Sequence, residues 1–138
     1  MISTTTERRR RLLRWTIAAT AALPTLTAAQ QILQGANGTA DGPTVVSPTV
    51  DGELRYANTF KLAVGPIIWS HLDDVETSPV VTAALGTIIV GGGARLLSWH
   101  QRGRPHAIAV VATGLEVLVL PAVLLWRKQI AHERRSLS

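Results

Sequence analysis

Three long apolar runs divide this chain, at residues 12–33, 80–99 and 106–126. Each comes to about the 20 residues that a helix rising 1.5 Å per residue needs to cross a bilayer. A fourth stretch, 54–70, has nearly the same length but is interrupted by Arg55, Asn58 and Lys61, so hydropathy alone would also allow an interfacial segment. Charge decides between the two. Arg8, Arg9, Arg10, Arg11 and Arg14 flank the first run, and Arg127, Lys128, Arg134 and Arg135 follow the last. Four crossings put both clusters on the cytoplasmic side, whereas three would translocate the second, against the positive-inside tendency. The pattern predicts an all-α integral membrane four-helix bundle with cytoplasmic N- and C-termini.

The expected divisions are a basic tail at 1–11, a four-span membrane domain at 12–128 and a second basic tail at 129–138. Within the domain the helices run at about 12–33, 54–70, 80–99 and 106–126, with an irregular outer loop at 35–52 that holds the turn pairs Asn37-Gly38 and Asp41-Gly42. A short acidic inner turn covers 71–78, and a tight outer turn covers 100–105. Trp15, Trp69 and Trp126 then fall at the inner interface, and Trp99 and Tyr56 at the outer one, where amphipathic rings are favoured. The first segment, with its arginines and alanine-rich stretch, also reads as a secretory or twin-arginine signal. Its cleavage would leave three helices and an outer N-terminus; the polar residues Gln30, Gln31 and Gln34 favour retention.

Glu116 constrains the assembly most. Residues 107–126 carry no other charge, and a carboxylate in hydrocarbon costs several kcal/mol unless it is paired, protonated or facing water. At 100° per residue each helix shows one small-or-polar stripe. These are Thr20, Pro24, Thr27, Gln31 and Gln34 on the first, and Arg55, Asn58 and Lys61 on the second. Ala84, Thr87, Gly91, Arg95 and Ser98 line the third, and Ala109, Ala112, Thr113 and Glu116 the fourth. Stripes of this kind turn inward in membrane bundles, where backbones approach closely and polar groups find partners. Depth agrees with angle: Glu116 lies roughly 15 Å and Lys61 roughly 12 Å below the outer end. The candidate site is therefore an outward-opening polar pocket of Glu116, Arg95, Lys61, Arg55, Asn58, Gln31 and Gln34. Its excess positive charge suits an anionic or lipid-like ligand. The competing structural reading is a Lys61–Glu116 or Arg95–Glu116 ion pair that only fixes helix register.

Composition narrows the rest. The chain has 138 residues, 46% hydrophobic but only 4% aromatic, gathered into blocks of Ala, Leu, Val and Ile; this is membrane composition and room for one domain. The absence of cysteine excludes disulfides, thiolate metal sites and a cysteine nucleophile. The net charge of +5 sits beside apolar segments, which points to anionic lipid and away from nucleic acid. No phosphate-loop, dinucleotide, nucleophile-elbow or zinc-protease motif occurs. His100 and His106 are separated in depth from Glu116, so no metal or cofactor is expected. Asp73, Asp74 and Glu76 read as a solvated turn or as an N-terminal cap for the third helix.

Glu53-Leu54-Arg55-Tyr56-Ala57-Asn58, Gly92-Gly93-Ala94-Arg95-Leu96-Leu97-Ser98 and Gly103-Arg104-Pro105-His106 before a helix with a central Glu resemble a bacterial domain-of-unknown-function family of small four-span membrane proteins, in the DoxX-like group. The resemblance covers roughly 53–128. It implies a four-helix inner-membrane fold and carries no activity or catalytic residue. The functional expectation is a non-enzymatic accessory or binding protein of the bacterial cytoplasmic membrane. Its expected partners are membrane lipids, with a membrane-protein partner or a homo-oligomer as further possibilities. The alternative is a small transporter or proton-linked carrier using Glu116 and Lys61, with an enzyme third.

Overall fold

The computed structural model describes residues 4–136, and among them the chain is helical without strands. Helix α1 spans Thr4–Gln34, α2 Pro48–Trp69, α3 Pro79–Arg102 and α4 Ala107–Arg135. Residues 1–3 of the expected N-terminal tail and 137–138 of the C-terminal tail lie outside the described residues. Helix α1 starts well before residue 12 and α4 continues well past residue 126, so arginines expected in the tails lie on helical turns. These turns are held by ion pairs, Arg9 with Glu133 and Arg134 with Glu76.

Local chemistry sets the boundaries. Ser47 and Ser78 accept hydrogen bonds from Val50 N and Val81 N, each followed by a proline at the first helical position, where a missing N–H costs nothing. His106 Nδ1 accepts from Ile108 N and starts α4. Gly35 ends α1 at φ +59, a left-handed geometry that suits glycine, and Gly35–Gly38 make one 3₁₀ turn.

Helices α1 and α2 form the closest pair. At Gly65 a Cβ would stand 2.1 Å from Thr25 Oγ1, so only glycine admits this contact. Trp69, one turn on and with its ring beside the same glycine, donates from Nε1 to Ala18 O at 3.1 Å. The buried apolar core includes Leu13, Ile17, Ala21, Ile68, Val81, Leu85, Leu120, Val123 and Ile130, from the middle of the helices towards the 71–78 turn.

Helices α3 and α4 are long and apolar enough to cross a membrane, and only 17% of the apolar window of each is buried within the molecule. Val90, Leu97, Ile108, Val111 and Leu118 are all more than half exposed. Faces this apolar and this uncovered require a partner or an apolar solvent.

A π-helical turn, Leu115–Val119, interrupts α4, with Leu120 N donating to Leu115 O, five residues back. Pro121 follows directly. Its ring lacks an N–H and would collide with the carbonyl four residues earlier, and a local widening of the helix relieves both problems. Glu116 sits inside this turn.

Candidate functional site

Glu116 faces α3 across Gly92. A Cβ on Gly92 would lie 2.7 Å from Glu116 Cβ and 2.8 Å from Val117 Cγ1, so the glycine provides the space the carboxylate occupies. Arg95, one turn further along α3, places Nε 3.2 Å from Glu116 Oε2. This is an ion pair without hydrogen-bond alignment, since the same buried Oε2 has no hydrogen-bond partner among the described residues. Lys61, half-buried on α2, lies close enough to act electrostatically on both Arg95 and Glu116. Three helices therefore contribute two cations to one carboxylate. The Glu116 side chain is 16% exposed and that of Arg95 40%, so the cluster is sheltered on one side and open on the other.

The other residues of the expected pocket are engaged elsewhere. Arg55 pairs with Asp51 at 2.7 Å and donates to Ile32 O at 2.6 Å and Leu33 O at 3.3 Å. It thereby supplies the positive charge that the last turn of α1 lacks and satisfies carbonyls left open by the helix end. Asp51 completes this join by accepting from Ala36 N at 2.7 Å. Asn58 is buried, but its Nδ2 donates to Leu54 O within its own helix. Gln34 is exposed and accepts from Gln30 Nε2, and Gln31 is half-buried. Among the described residues no three histidine, aspartate or glutamate side chains gather as a metal site.

At the end of the molecule that holds the 71–78 turn, Asp73 and Asp74 are exposed, and only Glu76 departs from the reading of these three residues as a solvated turn or a cap. Glu76 is 5% exposed, and its Oε1 takes hydrogen bonds from Arg10 Nε, at 2.8 Å, and from Arg134 Nη1. Arg14 reaches Asp73 at 2.8 Å, and Arg10 also donates to Asp73 O. Arg127 is 3% exposed and donates to Val75 O at 2.6 Å, Thr82 Oγ1 at 2.9 Å and Ser78 O at 3.0 Å. Buried charge thus occurs at both ends of the molecule and not in the outer half alone. Burial pushes the Glu76 carboxyl up, but its own nearby backbone amide and the hydrogen-bonded Arg10 and Arg134 favour the charged form more strongly and hold it below the usual glutamate range.

One signal in the sequence pointed to this cluster. The buried stripe of Leu120 and Val123 continues at helical spacing through Arg127, Ile130 and Arg134, past the point where the apolar run stops. Counting only the apolar residues ended that helix too early.

Residues 12–127 match the family described as Domain of unknown function (DUF4345). The chain belongs to this family. No curated protein and no solved structure matches it. The DUF4345 region takes in Lys61, Arg95 and Glu116 together with Glu76 and Arg127, while Arg10 and Arg134, which close on Glu76, lie beyond it on either side.

Proposed function

We propose that this DUF4345 protein is a multi-pass protein of the bacterial cytoplasmic membrane, a four-span bundle with both termini cytoplasmic, in the DoxX-like group. It acts without catalysis, as an accessory or binding protein for an anionic or lipid-like group held by Lys61 and Arg95. The supporting observation is the ratio of charge at the outer cluster: two cations meet one carboxylate at a site that Arg95 leaves partly open. An uncompensated cation beside apolar surface favours an anion with an apolar body. The π turn that carries Glu116 supports the same reading, because such turns are costly and concentrate at functional positions. The four-span arrangement is supported by the meeting of both chain ends with the 71–78 turn at one end of the molecule. The apolar outer faces of α3 and α4 also suit a subunit role in a larger membrane complex.

Native mass spectrometry of the protein released from mild detergent tests this. The wild type is expected to retain an anionic lipid or a partner subunit, and Lys61→Met with Arg95→Gln is expected to lose the anionic species while unfolding as a single transition. Retention of the same species by the double variant would rule out the outer cluster as its site.

The second reading, a proton-linked carrier, is favoured by the buried Glu116 Oε2 without a hydrogen-bond partner, since such an oxygen can take up a proton. In proteoliposomes Glu116→Gln then abolishes pH-driven flux. Equal flux in variant and wild type excludes that reading.

A further inference from the structure

A cleft of about 530 Å³ opens between the first turn of α3 and the inner half of α4, away from the Glu116 cluster. Its lining divides by chemistry. Pro121, Leu124 and Leu125 form an apolar wall that continues onto the exposed face of α4. Lys128 and Arg127 stand at the other end, with Thr82 and Glu76 between α3 and α4. The guanidinium of Arg127 is engaged by Val75, Thr82 and Ser78, so its role is to shape the cleft. Lys128 is exposed on the rim and has no ion-pair or hydrogen-bond partner among the described residues. The positive end of the α3 dipole adds to the same potential.

Glu76 supplies the second, independent observation. Its side chain is 2% exposed and lines the cleft, and while Oε1 accepts from two arginines, Oε2 has no hydrogen-bond partner among the described residues. A buried carboxylate oxygen without a donor is unfavourable, so a ligand that brings a donor to it gains accordingly. Three chemical demands therefore coincide at one place. The apolar wall suits an acyl chain, the rim lysine suits a phosphate, and Glu76 Oε2 calls for a hydrogen-bond donor. An ammonium would meet the last demand too, but the cleft carries more positive than negative side chains and so favours a lipid with net negative charge.

We propose that the cleft binds one anionic glycerophospholipid of the inner leaflet whose head group carries hydroxyls, the chemistry of phosphatidylglycerol. The phosphate lies against Lys128, a head-group hydroxyl donates to Glu76 Oε2, and an acyl chain follows Pro121, Leu124 and Leu125. This rests on the membrane reading above but not on the outer cluster.

The test uses the full chain, purified in detergent and supplied in turn with phosphatidylglycerol, phosphatidic acid, phosphatidylcholine or inorganic phosphate. Thermal unfolding and native mass spectrometry are the readouts. Phosphatidylglycerol is expected to raise the unfolding midpoint and remain bound, phosphatidic acid to do so less well, and the other two not at all. Lys128→Glu, an exposed change compatible with folding, is expected to weaken phosphatidylglycerol binding about tenfold, a difference of one lost charge-assisted contact. Arg102→Glu, at the far end of α3, is expected to leave it unchanged. Equal binding of phosphatidylglycerol and phosphatidylcholine, or full binding by Lys128→Glu, overturns the proposal, as does displacement by inorganic phosphate. Cell fractionation separates the two levels: wild-type protein in the soluble fraction defeats the membrane reading itself, whereas membrane-bound protein without lipid preference defeats only the cleft.

Discussion

Gly92 and its neighbours give the sharpest residue-scale contrast. Three successive glycines occupy one stretch of α3, yet only Gly92 has atoms within 4 Å of a would-be Cβ. Gly92→Ala is therefore expected to push Glu116 and Val117 away and to destabilise the protein by about 1–3 kcal/mol, the usual range for overpacking. Gly91→Ala and Gly93→Ala meet open space and are expected to be neutral or slightly stabilising, because alanine loses less backbone entropy in a helix. Unfolding midpoints of the three variants check this, and equal losses at all three would show that the Glu116 contact is not what Gly92 protects. Periodicity could place a glycine on the inward stripe, but it chose Gly91 for that face, while the packed position is Gly92. The one-residue offset is about 100° of rotation, and only the observed approach of α4 resolves it.

At the scale of the element, the π turn in α4 has a physical cause in Pro121 and a consequence at Glu116. A π turn takes one residue more than an α turn, so its removal would rotate everything on one side of it by about 100°. In a Pro121→Ala background the turn loses its cause, and the coupling between Glu116 and Arg95, measured by a double-mutant cycle, is expected to shrink. An unchanged coupling would mean that the pair itself holds the turn. Arg55 makes the corresponding case at the end of α1. Arg55→Met removes the charge from two terminal carbonyls and is expected to speed amide exchange around Ala36 and Thr39 while leaving the α3–α4 contact intact. The sequence marked Arg55 as an inward-facing cation on the Lys61 stripe. That it serves the end of α1 instead depends on how far along α2 that helix stops, which no period encodes.

For the whole molecule, the end that holds the 71–78 turn acts as a clasp. Arg10 from α1, Glu76 from the 71–78 turn and Arg134 from α4 share one carboxylate, so three segments distant in sequence are joined there. Because the folded state holds Glu76 below its ordinary value, its contribution is fully present above about pH 4.5 and is lost as pH falls through the folded value. The unfolding midpoint in detergent is thus expected to fall on acidification below that point, and Glu76→Gln is expected to remove much of this acid dependence while lowering stability at neutral pH. Arg127→Met leaves the buried carbonyl of Val75 without its donor, while Ser78 O keeps Thr82 N and Thr82 Oγ1, and the change is expected to lower stability by about 1–3 kcal/mol, read from the unfolding midpoint.

The sequence by itself determined the helical class, the apolar segments that became α3 and α4, and the presence near Glu116 of cations able to meet it. Those follow from composition and from a period of 3.6, both of which are local properties of the chain. Tertiary structure alone decided which charges met. Glu116 took Arg95, Arg55 went to the end of α1, and Glu76 was buried between Arg10 and Arg134, where a solvated turn or a cap for the third helix had been expected. The reason is that an ion pair forms where two helices bring opposite charges within a few ångströms, and that distance depends on packing, crossing and helix ends that lie far apart in the chain.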